Sequence, residues 1–281
     1  MAVKSLLRQW ELTPHKELGQ NFLIDQRVLR QILAAAEISA RDEVLEIGPG
    51  LGTLTQALAE HAQRVVAVEL DRQLAALLHD RLEAFPNVRV VVGDILALPV
   101  SELLATDKAG RPTEYAYKVV ANIPYNITSA VLRHLLEART RPKLIVLMVQ
   151  KEVAQRITAK PGDMSLLSVS VQFYGRPRLI HRVPARAFYP APKVDSAIIR
   201  IDPHPQLPLE PEEVEPFFTV VRAGFAQRRK QLRNSLLHGL GLSAECIAGA
   251  LAQAAVDGER RAQTLDIAEW VALYRALRAA A

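Results

Sequence analysis

A mostly parallel β-sheet covered by helices, with an antiparallel pair added at one edge and a small all-helical domain after it, is the α/β fold that the sequence predicts. Three observations carry it. Up to about residue 150, short β-rich runs alternate with longer helical patterns, as in a parallel sheet joined by crossover helices. Three more β-rich runs lie between residues 169 and 201, and from Phe217 onward the strand signal disappears.

The elements follow in order. Runs 44–47, 65–69, 88–92, 118–121 and 144–149 are apolar and branched enough to be strands buried on both faces. Between them Leu74, Leu77, Leu78 and Leu82 recur at helical spacing, as do Val131, Leu132 and Leu135, and these predict crossover helices. Runs 169–174, 179–183 and 197–201 read as strands that supply the antiparallel edge. The sheet domain is therefore expected over 1–202, a proline-rich, then acidic linker over 203–216, and a helical domain over 217–281. Gly239, Gly241 and Gly258 mark turns between its helices.

Composition narrows the class of protein. In 281 residues, 49% hydrophobic content fills a sizeable core and rules out a disordered chain. The apolar run 144–149 is far short of the roughly 20 residues a membrane helix needs, and residues 1–12 lack the continuous apolar run of a signal peptide. The single cysteine, Cys246, forms no internal disulfide and fits a reducing cytoplasm, and the seven histidines show no metal-ligand spacing. No metal and no membrane are expected, and a monomer is. The net charge of +5 is compatible with a polyanionic partner. Basic residues cluster at Arg139, Arg141 and Lys143, at Arg176, Arg178, Arg182 and Arg186, and most densely at Arg228, Arg229, Lys230 and Arg233, where solvated faces are the competing explanation.

After the first strand the chain reads Gly48-Pro49-Gly50-Leu51-Gly52, then a helix to about residue 62. Glycine at a strand-to-helix turn lets backbone approach a ligand closely, which predicts a nucleotide-like cofactor. The G-x-G-x-G spacing departs from the G-x-G-x-x-G of dinucleotide binders. The next strand ends in Glu69, placed to accept from both hydroxyls of a ribose, and the third ends in Gly93-Asp94, placed to receive an adenine amino group. Either acid alone could equally cap a helix. Together with the loop they fit an adenosine across the carboxyl ends of adjacent strands, which leaves NAD and S-adenosylmethionine as candidates.

The fourth strand decides between them, running into Asn122-Ile123-Pro124-Tyr125. An exocyclic amine on adenine is a poor nucleophile because its lone pair is delocalised into the ring. The Asn122 side-chain oxygen and the Ile123 carbonyl are two acceptors for its N–H groups. Pro124 stiffens the loop and Tyr125 offers a stacking face. A β-turn in which Asn122 satisfies local backbone is the bland alternative.

At these residues the chain resembles the ribosomal RNA adenine dimethyltransferases. The blocks that carry the resemblance are 16–23 (Lys16, Glu17, Leu18, Gly19, Gln20, Asn21, Phe22, Leu23), 46–55, 68–71, 93–96, 122–125, 150–156, 188–196 and 228–235. It implies a Rossmann-like, S-adenosylmethionine-dependent methyltransferase sheet. The implied reaction makes two adjacent dimethyladenosines in the terminal hairpin of 16S rRNA within a small-subunit precursor particle. Carried over by motif, Asn21, Leu23, Gly48, Glu69, Asp94 and Asn122 would contact the cofactor, beside Gly50 and Gly52 of the loop. Phe188 would form the second face of an aromatic clamp on the target adenine, although as a bare residue it reads equally well as core. The segment holding Arg222, Arg228, Arg229, Lys230 and Arg233 contains no acidic residue and is expected to contact RNA phosphates, unless ion pairs with 210–215 engage it. Two other functions remain in view: an RNA-binding assembly factor without catalysis, and an NAD-dependent dehydrogenase, for which the loop spacing is unfavourable.

Overall fold

The computed structural model describes residues 3–15, 19–104 and 117–280, so Lys16, Glu17 and Leu18 of the first motif lie outside the described residues. The chain forms two compact units, one of 1–154 with 177–203 and the other of 155–176 with 204–281.

In chain order the elements leading to the sheet's centre are α1 (Val3–Gln9), β1 (Phe22–Leu23), α2 (Gln26–Ala36), β2 (Glu43–Ile47), α3 (Thr53–Ala59), β3 (Arg64–Glu69), α4 (Arg72–Arg81) and β4 (Val88–Val92). Then come α5 (Val100–Leu103), β5 (Lys118–Asn122), α6 (Thr128–Leu136), β6 (Leu144–Gln150), α7 (Lys151–Ile157), α8 (Leu166–Gln172), β7 (Gly175–Val183), β8 (Phe188–Tyr189) and β9 (Ser196–Pro203). Seven strands form one sheet in the order β4-β3-β2-β5-β6-β9-β7, parallel from β4 through β6, with β9 antiparallel to β6. β1 and β8 make a separate antiparallel ribbon. Strand order reverses between β3-β2 and β2-β5, so the carboxyl ends of β2 and β5 open the crevice where such sheets bind ligands.

Burial follows position in the sheet. β2 and β6 are covered on both faces, as their unbroken apolar runs require. β4 is the outermost strand and only partly covered, with Val92 48% exposed, which corrects the expectation that 88–92 is buried on both faces. Asp71 starts α4 by accepting from the Gln73 and Leu74 amides, and Asp25 starts α2 by accepting from the Arg27 amide. The helix after the glycine loop ends at Ala59 rather than near residue 62.

The stretch 169–174, read as a strand, lies in and just after helix α8. Val169, Val171 and Phe173 alternate with polar residues and so imitate a strand. A reciprocal capping box between Ser165 and Ser168 starts a helix instead, and Gln172 donates to the Ile157 and Ala159 carbonyls. Phe173 stacks on Phe217 with centroids 4.8 Å apart. Residues 155–176 therefore group with the C-terminal helices and not with a sheet domain running unbroken to 202.

Those helices are α9 (Pro211–Phe225), α10 (Leu232–Leu240), α11 (Ala244–Gln253) and α12 (Ile267–Ala280). The expected linker 203–216 ends inside α9, because Pro211 suits a first helical turn and Glu210 and Glu213 complete a capping box. Gly241 ends α10 in the left-handed conformation, φ 67°. Gly239 is not a turn: it lies within α10, where an added Cβ would come within 2.6 Å of Ala223 on α9.

Candidate active site

A cavity opens at the carboxyl ends of β2, β3, β4 and β5, and most of the residues singled out from the sequence line it: Asn21, Leu23, Gly48, Gly50, Glu69, Asp94, Asn122, Ile123, Pro124 and Tyr125. The glycine loop forms one wall. Gly48, Gly50 and Gly52 all have φ between 57° and 78°, a conformation that side chains strain. At Gly50 an added Cβ would also lie 3.1 Å from the Phe22 ring, so this glycine admits the N-terminal segment against the loop. Gly52 does not line the cavity. It begins α3 and lets the helix approach Leu78, whose Cδ2 would be 2.8 Å from a Cβ there.

Glu69 is buried, with Oε2 accepting from the Gly50 amide at 3.0 Å and Oε1 from the Asp71 amide at 3.0 Å. Burial pushes its carboxyl above the ordinary value while these two amides pull the other way. The same acid thus shapes the loop and keeps a lone pair on each oxygen for a ligand. Asp94 is exposed and accepts from the Leu96 amide at 2.9 Å, so the local capping role and a place on the cavity wall coexist.

Glu46 is a candidate site residue that sequence reasoning passed over. It lines the cavity and is 1% exposed, and its Oε2 has no hydrogen-bond partner. Thr55 on α3 is fully buried. Burial pushes the Glu46 carboxyl up to about 8; the Thr55 hydroxyl works against this rise and the Glu69 carboxylate adds to it. The signal was present: a glutamate inside a strand whose every residue is buried. Leu70 was also missed, an apolar residue 54% exposed on the cavity wall beside Glu69.

Among the described lining residues there are three carboxylates, Glu46, Glu69 and Asp94, and no cationic side chain. Such a cavity suits an electron-poor, positively charged ligand and opposes a diphosphate. Its orphaned Glu46 oxygen fits the cationic end of S-adenosylmethionine, and Glu69 fits the ribose, so the residues present match that cofactor.

The opposite wall is the segment after β5. Asn122 Nδ2 donates to the Asn21 carbonyl at 3.1 Å, which fixes the amide and leaves its oxygen as the remaining acceptor. Gln20, next to Asn21, donates to Asp71 Oδ2 at 3.1 Å, so the 19–23 segment ties the Glu69 side of the cavity to the Asn122 side. Tyr125 is half-buried and opens a 3₁₀ turn, and its hydroxyl lies 2.6 Å from Ser196 Oγ.

Phe188, expected from the resemblance as the second face of an aromatic clamp, lies in the apolar core. It is 2% exposed, does not line the cavity, and belongs to the apolar core with Leu23, Val28 and Leu29, because β8 pairs with β1 in the register Leu23↔Phe188.

In the helical unit the basic residues separate into two sets. Arg222 pairs with Glu215 at 2.5 Å and Arg233 with Glu259 at 3.3 Å, so these two are engaged within the chain. Arg228, Arg229 and Lys230 are exposed on the turn between α9 and α10, and no ion pair engages them among the described residues. Lys143 of another basic cluster is taken up by Asp42.

The sheet order and the acid-lined cavity at its switch point define a methyltransferase fold. Residues 12–273 match the family model described as Ribosomal RNA adenine dimethylase, and the chain belongs to that family. It is 48% identical over 267 residues to a Dehalococcoides mccartyi (strain CBDB1) protein named Ribosomal RNA small subunit methyltransferase A, covering 95% of this chain and 89% of the relative. A Moorella thermoacetica protein of the same name is 45% identical, covering 97% and 96%. Among solved structures, the 23S rRNA methyltransferase ErmE is 31% identical with a TM-score of 0.72, covering 92% of this chain and all of that one. A dimethyladenosine transferase from Plasmodium falciparum is 27% identical with a TM-score of 0.76, covering 90% and 95%.

Proposed function

We propose that this enzyme uses S-adenosylmethionine to dimethylate the exocyclic amines of two adjacent adenosines in the 3′-terminal hairpin of 16S rRNA, within a small-subunit precursor particle. One observation carries the reading: a single cavity brings three carboxylates and no described cation to face Asn122-Ile123-Pro124-Tyr125. The names of the relatives, which specify the small ribosomal subunit, support the choice of RNA.

The cofactor, when bound, supplies a methyl group made electrophilic by its sulfonium. Glu69 would hold the ribose hydroxyls, Asp94 the adenine amino group and Glu46 the cationic end. On the substrate side, the Asn122 oxygen and the Ile123 carbonyl accept from the two N–H groups of the target amine. They draw its lone pair out of conjugation and aim it at the methyl. The Tyr125 ring stacks on the base. The nitrogen becomes acidic as it gains the methyl and releases its proton to water, so no strong base is required. Arg228, Arg229 and Lys230 would contact RNA phosphates. This reading places the enzyme in the cytoplasm.

The experiment is methyl incorporation into precursor particle, assembled subunit and naked rRNA, with the products mapped. Dimethyladenosine at paired neighbouring positions is the expected product. Asn122→Ala is expected to lower turnover by about two orders of magnitude while cofactor binding persists, since its interaction strengthens as the amine pyramidalises. Near-normal turnover in that variant would remove Asn122 from the chemistry.

A further inference from the structure

Ser196 begins β9, opposite Gln150 of β6, and is fully buried. It has no part in the chemistry proposed for the cavity. Its Oγ lies 2.6 Å from the Tyr125 hydroxyl, a short approach of two polar tips 71 residues apart in sequence. Burial pushes the Tyr125 hydroxyl's pKa up while the bond to Ser196 opposes that shift, so the phenol stays neutral and able to donate or accept.

We propose that Ser196 is a positioning residue that fixes where the Tyr125 ring lies for stacking on the target adenine. The proposal rests on the reading of Tyr125 as the stacking face. A tyrosine side chain has two torsions; the hydroxyl oxygen lies on the axis of the second, so a hydrogen bond at the far tip restrains the swing of the whole ring about the first. At the near end the Tyr125 carbonyl accepts from the Thr128 hydroxyl at 3.2 Å, so the residue is held at both ends.

The anchor is more rigid than the loop it steadies. Ser196 sits in register between sheet strands, whereas Tyr125 lies in a 3₁₀ turn. Its neighbour Asp195 is fastened twice, with Oδ1 accepting from the Ala185 amide at 3.1 Å and its carbonyl accepting from the Lys151 amide at 3.0 Å. A phenylalanine would stack as well and would spare the cost of burying a hydroxyl. The hydroxyl therefore adds placement to the ring, not area, and a pre-set ring position is what in-line transfer to one nitrogen demands.

The test is a double-mutant cycle of Ser196→Ala and Tyr125→Phe, read in kcat and KM on the precursor particle, with S-adenosylmethionine affinity measured by calorimetry. Each single variant is expected to lower kcat about tenfold with cofactor affinity unchanged, and the double variant to lose no more than either single one. Full additivity in kcat, or single variants with normal kcat whose only change is a lower melting temperature, overturns the proposal. Tyr125→Ala separates this from the underlying reading. If it turns over normally, stacking on Tyr125 is wrong; if it fails while Ser196→Ala and Tyr125→Phe do not, the ring matters and the Ser196 anchor does not.

Discussion

Glu69 and Glu46 lie one strand apart and do opposite things with a buried carboxylate. Glu69 has amide partners on both oxygens, and Glu46 has one oxygen with none. On the proposed reading, Glu69→Ala would remove two charge-assisted hydrogen bonds to the cofactor together with the Gly50 anchor, and is expected to weaken S-adenosylmethionine binding by about 2 kcal/mol or more. Calorimetry on the folded variant checks this, and unchanged affinity would exclude Glu69 from the site. For Glu46 the sign runs the other way from an ordinary salt-bridged acid. Its carboxyl is raised from 4.5 to about 8, so in the cofactor-free protein it stays protonated while the unfolded chain ionises. Its contribution to stability is whole below about 4.5 and is lost as pH rises towards 8. Glu46→Gln has no proton to lose. Its stability relative to the parent is expected to climb between pH 5 and pH 8, and parallel stability curves across that range would contradict the argument.

At the scale of elements, the turn between α9 and α10 is an exposed cationic feature of the helical unit. The neighbouring arginines Arg222 and Arg233 already have carboxylate partners, so they are poor candidates for binding phosphates. Replacing Arg228, Arg229 and Lys230 together with glutamate is expected to weaken binding to the precursor particle and to flatten its dependence on salt, by about one unit of log-log slope for each phosphate no longer neutralised. Cofactor affinity should not move. Affinity measured across a salt series decides, and equal slopes for parent and triple variant would place the RNA elsewhere.

Across the whole sheet unit, chemistry and stability occupy opposite ends of the strands. The cavity lies at the carboxyl ends, while at the amino ends Asp42, 3% exposed, pairs with Lys118 at 3.0 Å and Lys143 at 2.5 Å. Lys118 also donates to the Ala36 and Glu37 carbonyls at the end of α2. Burial alone would raise the Asp42 carboxyl, but the two lysines and Ser39 outweigh it and hold the group well below the usual carboxylate range. Asp42→Asn leaves the buried Lys118 short of its counter-charge and is expected to cost about 3 kcal/mol near neutral pH. A depressed carboxyl stabilises above its unfolded pKa and loses that contribution as pH falls. The gap between parent and variant should therefore narrow below about pH 4. Chemical unfolding at pH 7 and at about pH 2.5 measures it, and equal stability at pH 7 would refute the network's role.

The parallel strands, the glycine loop and the Asn122 to Tyr125 segment were legible in the sequence because each depends on local chemistry. Branched apolar runs can only be buried in a covered sheet, left-handed turns demand glycine, and an amide beside a proline and an aromatic ring is a compact signal. Three things were decided by the tertiary structure, because each depends on what a segment packs against. Residues 169–174 alternate like a strand, yet a capping box and the Phe217 ring make them helical partners of the C-terminal unit. Phe188 carries no local mark of its surroundings, and pairing with β1 turns it into the core. Glu46 and Ser196 are polar letters in largely apolar strands. Their significance rests on an orphaned oxygen and a 2.6 Å hydrogen bond that exist only once the strands bring distant residues together.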